Sequence, residues 1–392
     1  MLPYLDSNAT TQVDPEVFEA MLPFLKEQYA NPSASYRQAR QVRKAIDIAR
    51  QQVAALIDAE PEEIIFTSGG TEANNAAVFS ALTLHYPNKT HLVTAKTEHS
   101  AVLEPAKRWM MEGQPVSFLN VSDDGQVNLN ELGHCIIPNQ TALLSIMWAN
   151  NETGVIGPIA QAAGFAHENG ALFHTDAVQA IGKVPVSVKK LPIDYLALSG
   201  HKFHAPKGIG ALYVSKRVRF KPWMLGGGQE NGRRSGTENV PFIIALGKAA
   251  ELAMNHLSQG TSAAIATLRD TFEQTLLNAI PGSRVHGASA IRLGTTSNLY
   301  FPNIDAAGLL IMLDAKNIAC SGGSACHTAQ LHPSHVLEAM GVSAEDAQRS
   351  IRFSFSRFNT QDEVALGTQT VIECVKKMQE LKGDNLVVQS TP

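Results

Sequence analysis

A lysine, an aspartate and a histidine stand at the ends of three apolar runs in this chain, and each can move a proton or hold a reactive group. Lys202 closes the first run of DYLALSGHKFHAPKGIGALYV, residues 194–214. Residues 195–198 and 209–214 read as strands around a Pro- and Gly-rich turn, which puts Lys202 at a strand end. An amine held between apolar strands loses hydration, which disfavours its ammonium form and favours the free base that makes Schiff bases. A strand-terminal lysine carrying its charge out to water is the competing reading. Asp176 ends a second run in FHTDAVQA, and His99 follows a third in TAKTEHSAV. Strand ends are where α/β sheets bind ligands. Amine, carboxylate and imidazole on one edge would suit pyridoxal phosphate, whose aldehyde takes an amine and whose ring nitrogen takes an anion.

Other residues extend this set. A short strand over 63–67 leads through SGGTEANNAAVFSAL into a helix starting near Thr71, so Gly70 and Thr71 offer unpaired amides and a hydroxyl to a phosphate; a plain turn with an N-cap is the alternative. His99, at a helix entrance, reads equally as a cap, and so does Asp176. Gln179 follows Asp176 closely enough to meet the same ligand. Asn150, Asn151, Glu152 and Thr153 crowd the end of an apolar run over 142–148. Arg233, Arg234 and Thr237 lie in a glycine-rich loop as an anion-friendly set, or as a solvated linker. Arg352 alternates with apolar residues in SIRFSFSRFNT and would present a two-pronged fork to an amino-acid carboxylate. Cys326, in IACSGGSACHTAQLHPSH, is surrounded by glycines and small polar residues that would leave its thiol exposed, as a nucleophile requires. Cys320 reads as core or as a second redox partner. A metal site of Cys320, Cys326, His327 and His332 matches no standard spacing.

The elements that must position these groups follow from patterning. Helical spacing appears over 14–25 and 35–57, strands over 91–95 and 171–175, and a helix over 158–169. Strand and helix alternate for more than a hundred residues, the signature of a mostly parallel sheet covered on both faces. Beyond a polar, small-residue stretch at 260–264, read as the domain boundary, come a helix over 265–279, strands near 296–300 and 351–354, and helices near 306–313, 335–340 and 360–381. The expected fold is α/β, with a large domain over 12–258 and a smaller α+β domain made of 1–11 and 259–392. With 392 residues and 44% hydrophobic content, two cores can form. The 32 basic and 36 acidic residues leave a net charge of -4 without long like-charge runs, which argues against nucleic acid and membrane surfaces as partners. The N-terminal residues show no targeting pattern, and the four scattered cysteines form no disulfide framework, so a cytoplasmic protein is expected.

Taken together, TEANN at 71–75, TEHSAV at 97–102, NNETG at 150–154, HTDAVQ at 174–179, SGHKF at 199–203, RSGTEN at 234–239, GSAC at 323–326 and the segment around Arg352 resemble the cysteine desulfurases of the NifS/IscS type. The resemblance runs from Tyr4 to about Val375 and implies a fold-type-I pyridoxal-phosphate enzyme that is a homodimer. It implies that Lys202 forms the Schiff base with the cofactor, Asp176 pairs with the ring nitrogen, Gln179 bonds the phenolic oxygen and His99 stacks on the ring. Gly70, Thr71, Ser199 and His201 would hold the phosphate, joined by Thr237 of the neighbouring subunit. Asn151 and Arg352 would bind the carboxylate of L-cysteine. Cys326 would accept the sulfur and pass it as a persulfide to an acceptor such as an iron-sulfur scaffold protein. His327 and His332 depart from the family pattern, and Cys320 is additional. A selenocysteine lyase, another fold-type-I enzyme and a catalytically quiet scaffold are the alternatives.

Overall fold

A computed structural model of the chain describes residues 3–322 and 333–388, with side chains to Leu381. Cys326, His327 and His332 lie outside the described residues.

Seven strands form the larger sheet: β1 (Ile64–Thr67), β2 (His91–Ala95), β3 (Val116–Leu119), β4 (Thr141–Ser145), β5 (Leu172–Asp176), β6 (Tyr195–Ser199) and β7 (Gly210–Val214). Their spatial order is β1-β7-β6-β5-β4-β2-β3. The pairs from β6 across to β3 are parallel, while β7 runs antiparallel to both β6 and β1. Every residue of β2, β4 and β6 is buried. Continuous apolar strands of this kind need cover on both faces, and two separate apolar clusters supply it.

Helix Pro15–Lys26 starts where the sequence places it. Asp14 accepts from the Glu16 amide at 2.8 Å, proline occupies the first turn, and Val17 and Met21 turn inward. In helix Arg37–Leu56 the buried Ala39, Val42, Ile46, Ala49 and Val53 keep the three-and-four spacing that makes one apolar stripe. One expectation fails. The helix expected from residue 265 begins at Thr261, and only Gln259 and Gly260, the latter at φ 74°, make the turn from helix Val240–Ser258. Small polar residues read as loop, but the threonine and serine sit in a first helical turn, where their polarity costs little.

The second sheet is antiparallel, with β9 (Thr296–Tyr300) between β8 (Arg284–Val285) and β10 (Ser350–Ser354). Its faces differ sharply. Ile351 and Phe353 on β10 join Leu299 on β9 in a core with Leu5 and Phe272. The intervening Thr296, Asn298, Arg352 and Ser354 are also almost fully buried, but they face polar partners. The N-terminal segment links the two sheets. Leu5 donates to the Ala319 carbonyl and accepts from the Ser354 amide, whereas the Thr11 amide reaches the His201 carbonyl beside Lys202. No helix among the described residues is long and apolar enough to cross a membrane.

Candidate active site

Strand β6 ends at Ser199, and the single 3-10 turn Gly200–Lys202 carries the chain off the sheet. Lys202 therefore projects beside the strand end instead of continuing the ladder. Its Nζ donates to the carbonyls of Asn8 at 2.6 Å and Ala9 at 2.8 Å. The amine lines a cleft of about 820 Å³ together with Gly70, Thr71, His99, Asn151, Asp176, Gln179, Ser199, His201 and Arg352. Of the sequence candidates, these nine and Lys202 are brought together. Thr237 is not: it is exposed and lies outside the lining of this cleft.

At the end of β5, Asp176 is buried and accepts from two donors, the Val178 amide at 2.9 Å and Asn74 Nδ2 at 2.6 Å. No helix follows Asp176, so it caps none; its carboxylate closes a local turn on the Val178 amide at the edge of the cleft. Asn74 escaped the sequence reading although it lies within TEANN. It sits three residues after Thr71 on helix Gly70–Leu84, and that spacing puts both on one helix face. His99 combines both of its readings. Its Nδ1 accepts from the Ala101 amide at 3.0 Å, capping helix Ser100–Met111. A nitrogen that accepts cannot carry a proton, so the ring is neutral with its hydrogen on Nε2. Burial pushes in the same direction, lowering the imidazole pKa despite the opposing charge of Asp176.

Helix Gly70–Leu84 points its N-terminus at the cleft. A Cβ on Gly70 would meet Val178 Cγ2 at 2.7 Å, so a side chain there would close the approach to the first-turn amides. Glu72 secures that turn by accepting from the Ser68 amide at 2.8 Å and pairing with Arg234 at 2.9 Å. This corrects the reading of the glycine-rich loop. Arg234 is committed to Glu72, and Arg233 donates to the Ile64 carbonyl, so the two arginines fasten the loop to the sheet instead of forming an anion site. His201 lies 3.1 Å from Thr10 Oγ1, and burial followed by the charges of Lys202 and Lys207 brings its pKa down to about 4. A neutral imidazole on the wall of the cleft therefore offers hydrogen-bonding nitrogens and not a cation.

Arg352 enters from the second sheet. Its guanidinium is 1% exposed, pairs with Asp6 at 2.9 Å and donates to the Asn151 carbonyl at 3.2 Å. Its Nε donates to no partner among the described residues. A fork so placed retains donors for an anion entering the cleft. Asp6 carried no sequence signal, because nothing in the local pattern announces an ion pair across more than three hundred residues. Asn8 was missed for the same reason. Its amide donates to the Asn151 carbonyl and to Thr296 Oγ1, its backbone amide donates to Ser354 Oγ, and its carbonyl accepts from Gln179 and Lys202. Glu98, fully buried next to His99, accepts from the Met147 amide at 2.7 Å, and burial raises its pKa well above the carboxylate range. Cys320 packs partly buried against the second core, where burial pushes its thiol up, away from the thiolate form.

The cleft's donor set fits pyridoxal phosphate. Helix-terminal amides and hydroxyls suit a phosphate, the buried carboxylate suits a pyridinium nitrogen, and an amine lines the same cleft. Residues 3–366 match the family model described as aminotransferase class-V. A curated relative from Trichormus variabilis, cysteine desulfurase 2, is 50% identical over 96% of this chain and 94% of its own length. Among solved structures, a NifS-like protein superposes with a TM-score of 0.90 at 37% identity, covering 96% of this chain and all of that one. Another, SspA in complex with cysteine, gives a TM-score of 0.81 at 34% identity, covering 91% of this chain and 100% of its own.

Proposed function

The chain belongs to the class-V aminotransferase family and is a cysteine desulfurase, and we propose that it converts L-cysteine to L-alanine with pyridoxal phosphate in the cleft beside Lys202. The observation that carries the assignment of residues is the convergence of Lys202, Asp176, His99, the helix N-terminus at Gly70 and Arg352 on one cleft. Gly70, Thr71, Ser199 and His201 would hold the phosphate, Asp176 the ring nitrogen, Gln179 the phenolic oxygen and His99 the ring face. Thr237 would come from the second copy of a homodimer. The large domain would span 12–258, and 1–11 with 259–392 would form the small one, a division supported by the separate apolar cores.

When bound, the cofactor supplies an aldehyde for the substrate amine and an electron-poor ring that acidifies the substrate Cα–H bond. The protein supplies the rest. Arg352 and Asn151 would fix the substrate carboxylate and so orient the Cα hydrogen toward Lys202, whose amine accepts that proton. Asp6 keeps the guanidinium in place, and the Asn8 and Ala9 carbonyls hold the lysine nitrogen where it is needed. Cys326 would take the sulfur. The substrate Cβ–S bond breaks, a sulfur–sulfur bond forms on Cys326, and alanine leaves; L-cysteine plus one thiol balances L-alanine plus one persulfide, with no outside oxidant. The persulfide would then pass to an acceptor protein for iron-sulfur cluster or other sulfur-containing cofactor assembly, in the cytoplasm.

Incubation of the cofactor-loaded protein with L-cysteine and a reductant tests the reading. Alanine and sulfide are expected in equal amounts. Cofactor-loaded protein that releases neither would overturn it.

A further inference from the structure

Behind Lys202 lies a second lysine that the reaction does not use. Lys183 Nζ donates to Gln179 Oε1 at 2.6 Å and to Asn8 Oδ1 at 2.9 Å. An amide has an oxygen end and a nitrogen end of nearly equal shape, so what selects between them is the chemistry of the neighbour. An ammonium has no acceptor and admits only the oxygen. Burial, then the nearby charges of Lys202 and Arg352, lowers the Lys183 pKa well below the usual value. A neutral amine would add a lone pair able to accept, but the Asn8 and Asn151 carbonyls still draw the two amide nitrogens away from it, and its two N–H bonds still meet the two oxygens.

The consequences reach the cleft. With Oε1 turned to Lys183, Gln179 must present Nε2 outward, where it donates to the Asn8 carbonyl at 3.1 Å. With Oδ1 turned the same way, Asn8 must present Nδ2 to the Asn151 carbonyl and Thr296 Oγ1. Gln179 and Asn8 both line the cleft, and the Asn8 carbonyl is the acceptor for Lys202 Nζ. We propose that Lys183 is a positioning residue of this site, setting the polarity of the Gln179 and Asn8 amides so that Gln179 offers a donor to the phenolic oxygen of the cofactor. The proposal rests on the reading that pyridoxal phosphate occupies the cleft.

A double-mutant cycle tests it, read as the dissociation constant of pyridoxal phosphate for the cofactor-free protein and as the absorbance maximum of the bound cofactor. Lys183→Met is expected to weaken cofactor binding about tenfold, the worth of one misdirected hydrogen bond, and to shift the band as Gln179→Ala does. In the Gln179→Ala background the same change should cost less than about twofold, because the amide through which Lys183 acts is gone. Equal weakening in both backgrounds, or none in either, overturns the proposal. Wild-type protein that fails to take up the cofactor would overturn the underlying reading instead. Thermal melting of the cofactor-free variants separates lost fold from lost orientation. Should Lys183→Met not fold, Lys183→Gln, of similar reach but able to present either amide end, goes through the same cycle.

Discussion

The two sheets deliver functional side chains in different ways. The seven-stranded sheet uses its ends: Asp176 and Ser199 are last residues of strands, and Lys202 and His99 stand in the turns just beyond. The three-stranded sheet uses a face, because Arg352 sits in the middle of β10 with its side chain wholly buried. A group at a strand end finds backbone amides and carbonyls as partners, since the ladder has stopped and those groups are unspent. The mid-strand charge, its own backbone spent in the ladder, takes its partners from other segments, the Asp6 carboxylate and the Asn151 carbonyl. His99 is thus held by its own neighbourhood and Asp176 partly so, whereas Lys202, on the Asn8 and Ala9 carbonyls, and the mid-strand arginine are held by a segment distant in sequence.

The largest expected effect separates the chemical centre from everything else. Lys202→Ala should lower turnover by at least about 10³-fold, and borohydride should no longer fix pyridoxal phosphate to the chain. Fixation on another lysine, such as Lys207, would move the chemistry away from the strand end. Cys326→Ala should also abolish alanine release, while solvent exchange of the substrate Cα proton continues, because that proton is handled at Lys202. Cys320→Ala is the matched control and should turn over near the wild-type rate; the reverse outcome would transfer the nucleophile to Cys320.

Next comes the mid-strand charge. Arg352→Ala should weaken cysteine binding by roughly 2 to 4 kcal/mol, the range for truncating one member of a buried charged pair, and a Michaelis constant that does not move would remove it from the site. Asp6→Asn sharpens the contrast. It leaves every strand-end group untouched, so a rise of about tenfold in the Michaelis constant with little change in cofactor affinity is expected if Arg352 depends on its distant partner. Equal losses in both measurements would mean that Asp6 supports the whole cleft and not the arginine alone.

The smallest effect at neutral pH grows with acid. Burial lowers the pKa of His174 and His204 to about 3 and of His286 to about 4. Unfolded, each binds a proton near pH 6.5; folded, each stays neutral until far lower pH. The unfolded chain therefore holds more protons between these limits, and stability falls as pH drops through 6.5 toward 4. At pH 5 each should cost about 2 kcal/mol. Denaturant melts at pH 7 and pH 5 check this, and replacing His286 with Gln should shrink the difference by about that amount.

Much of the fold was legible because strands buried on both faces are written as unbroken apolar runs. The limits of β2 and β9 agree with the sequence reading, and those of β5 and β6 to within a residue. Lys202, Asp176 and His99 were legible for the same reason, since an apolar run that stops marks its own end. What stayed hidden were residues defined by a partner. Asp6 and Asn8 act through contacts spanning up to 346 positions, and Lys183, four residues from Gln179, also reaches Asn8 175 positions away; no local period encodes those distant pairs. The strands β3 and β8 were missed as well; the one is only partly buried and the other is two residues long.

The segment 4–11 has a bearing on how the protein comes to be made. It is made some three hundred residues before its partners: Leu5 is anchored to Ala319 and Ser354, and Asn8 to Thr296 and Ser354. Translation runs one way, so the opening residues must wait, unanchored, while some three hundred more are added. By then the larger sheet has been synthesised and Lys202 already projects from it, lacking the carbonyls of Asn8 and Ala9. Only when β10 emerges can the first-made segment be stitched down between last-made and middle-made structure. The hold on Lys202 is thereby completed late, and a ribosome stalled before residue 350 would carry a nascent protein whose cleft is not yet assembled.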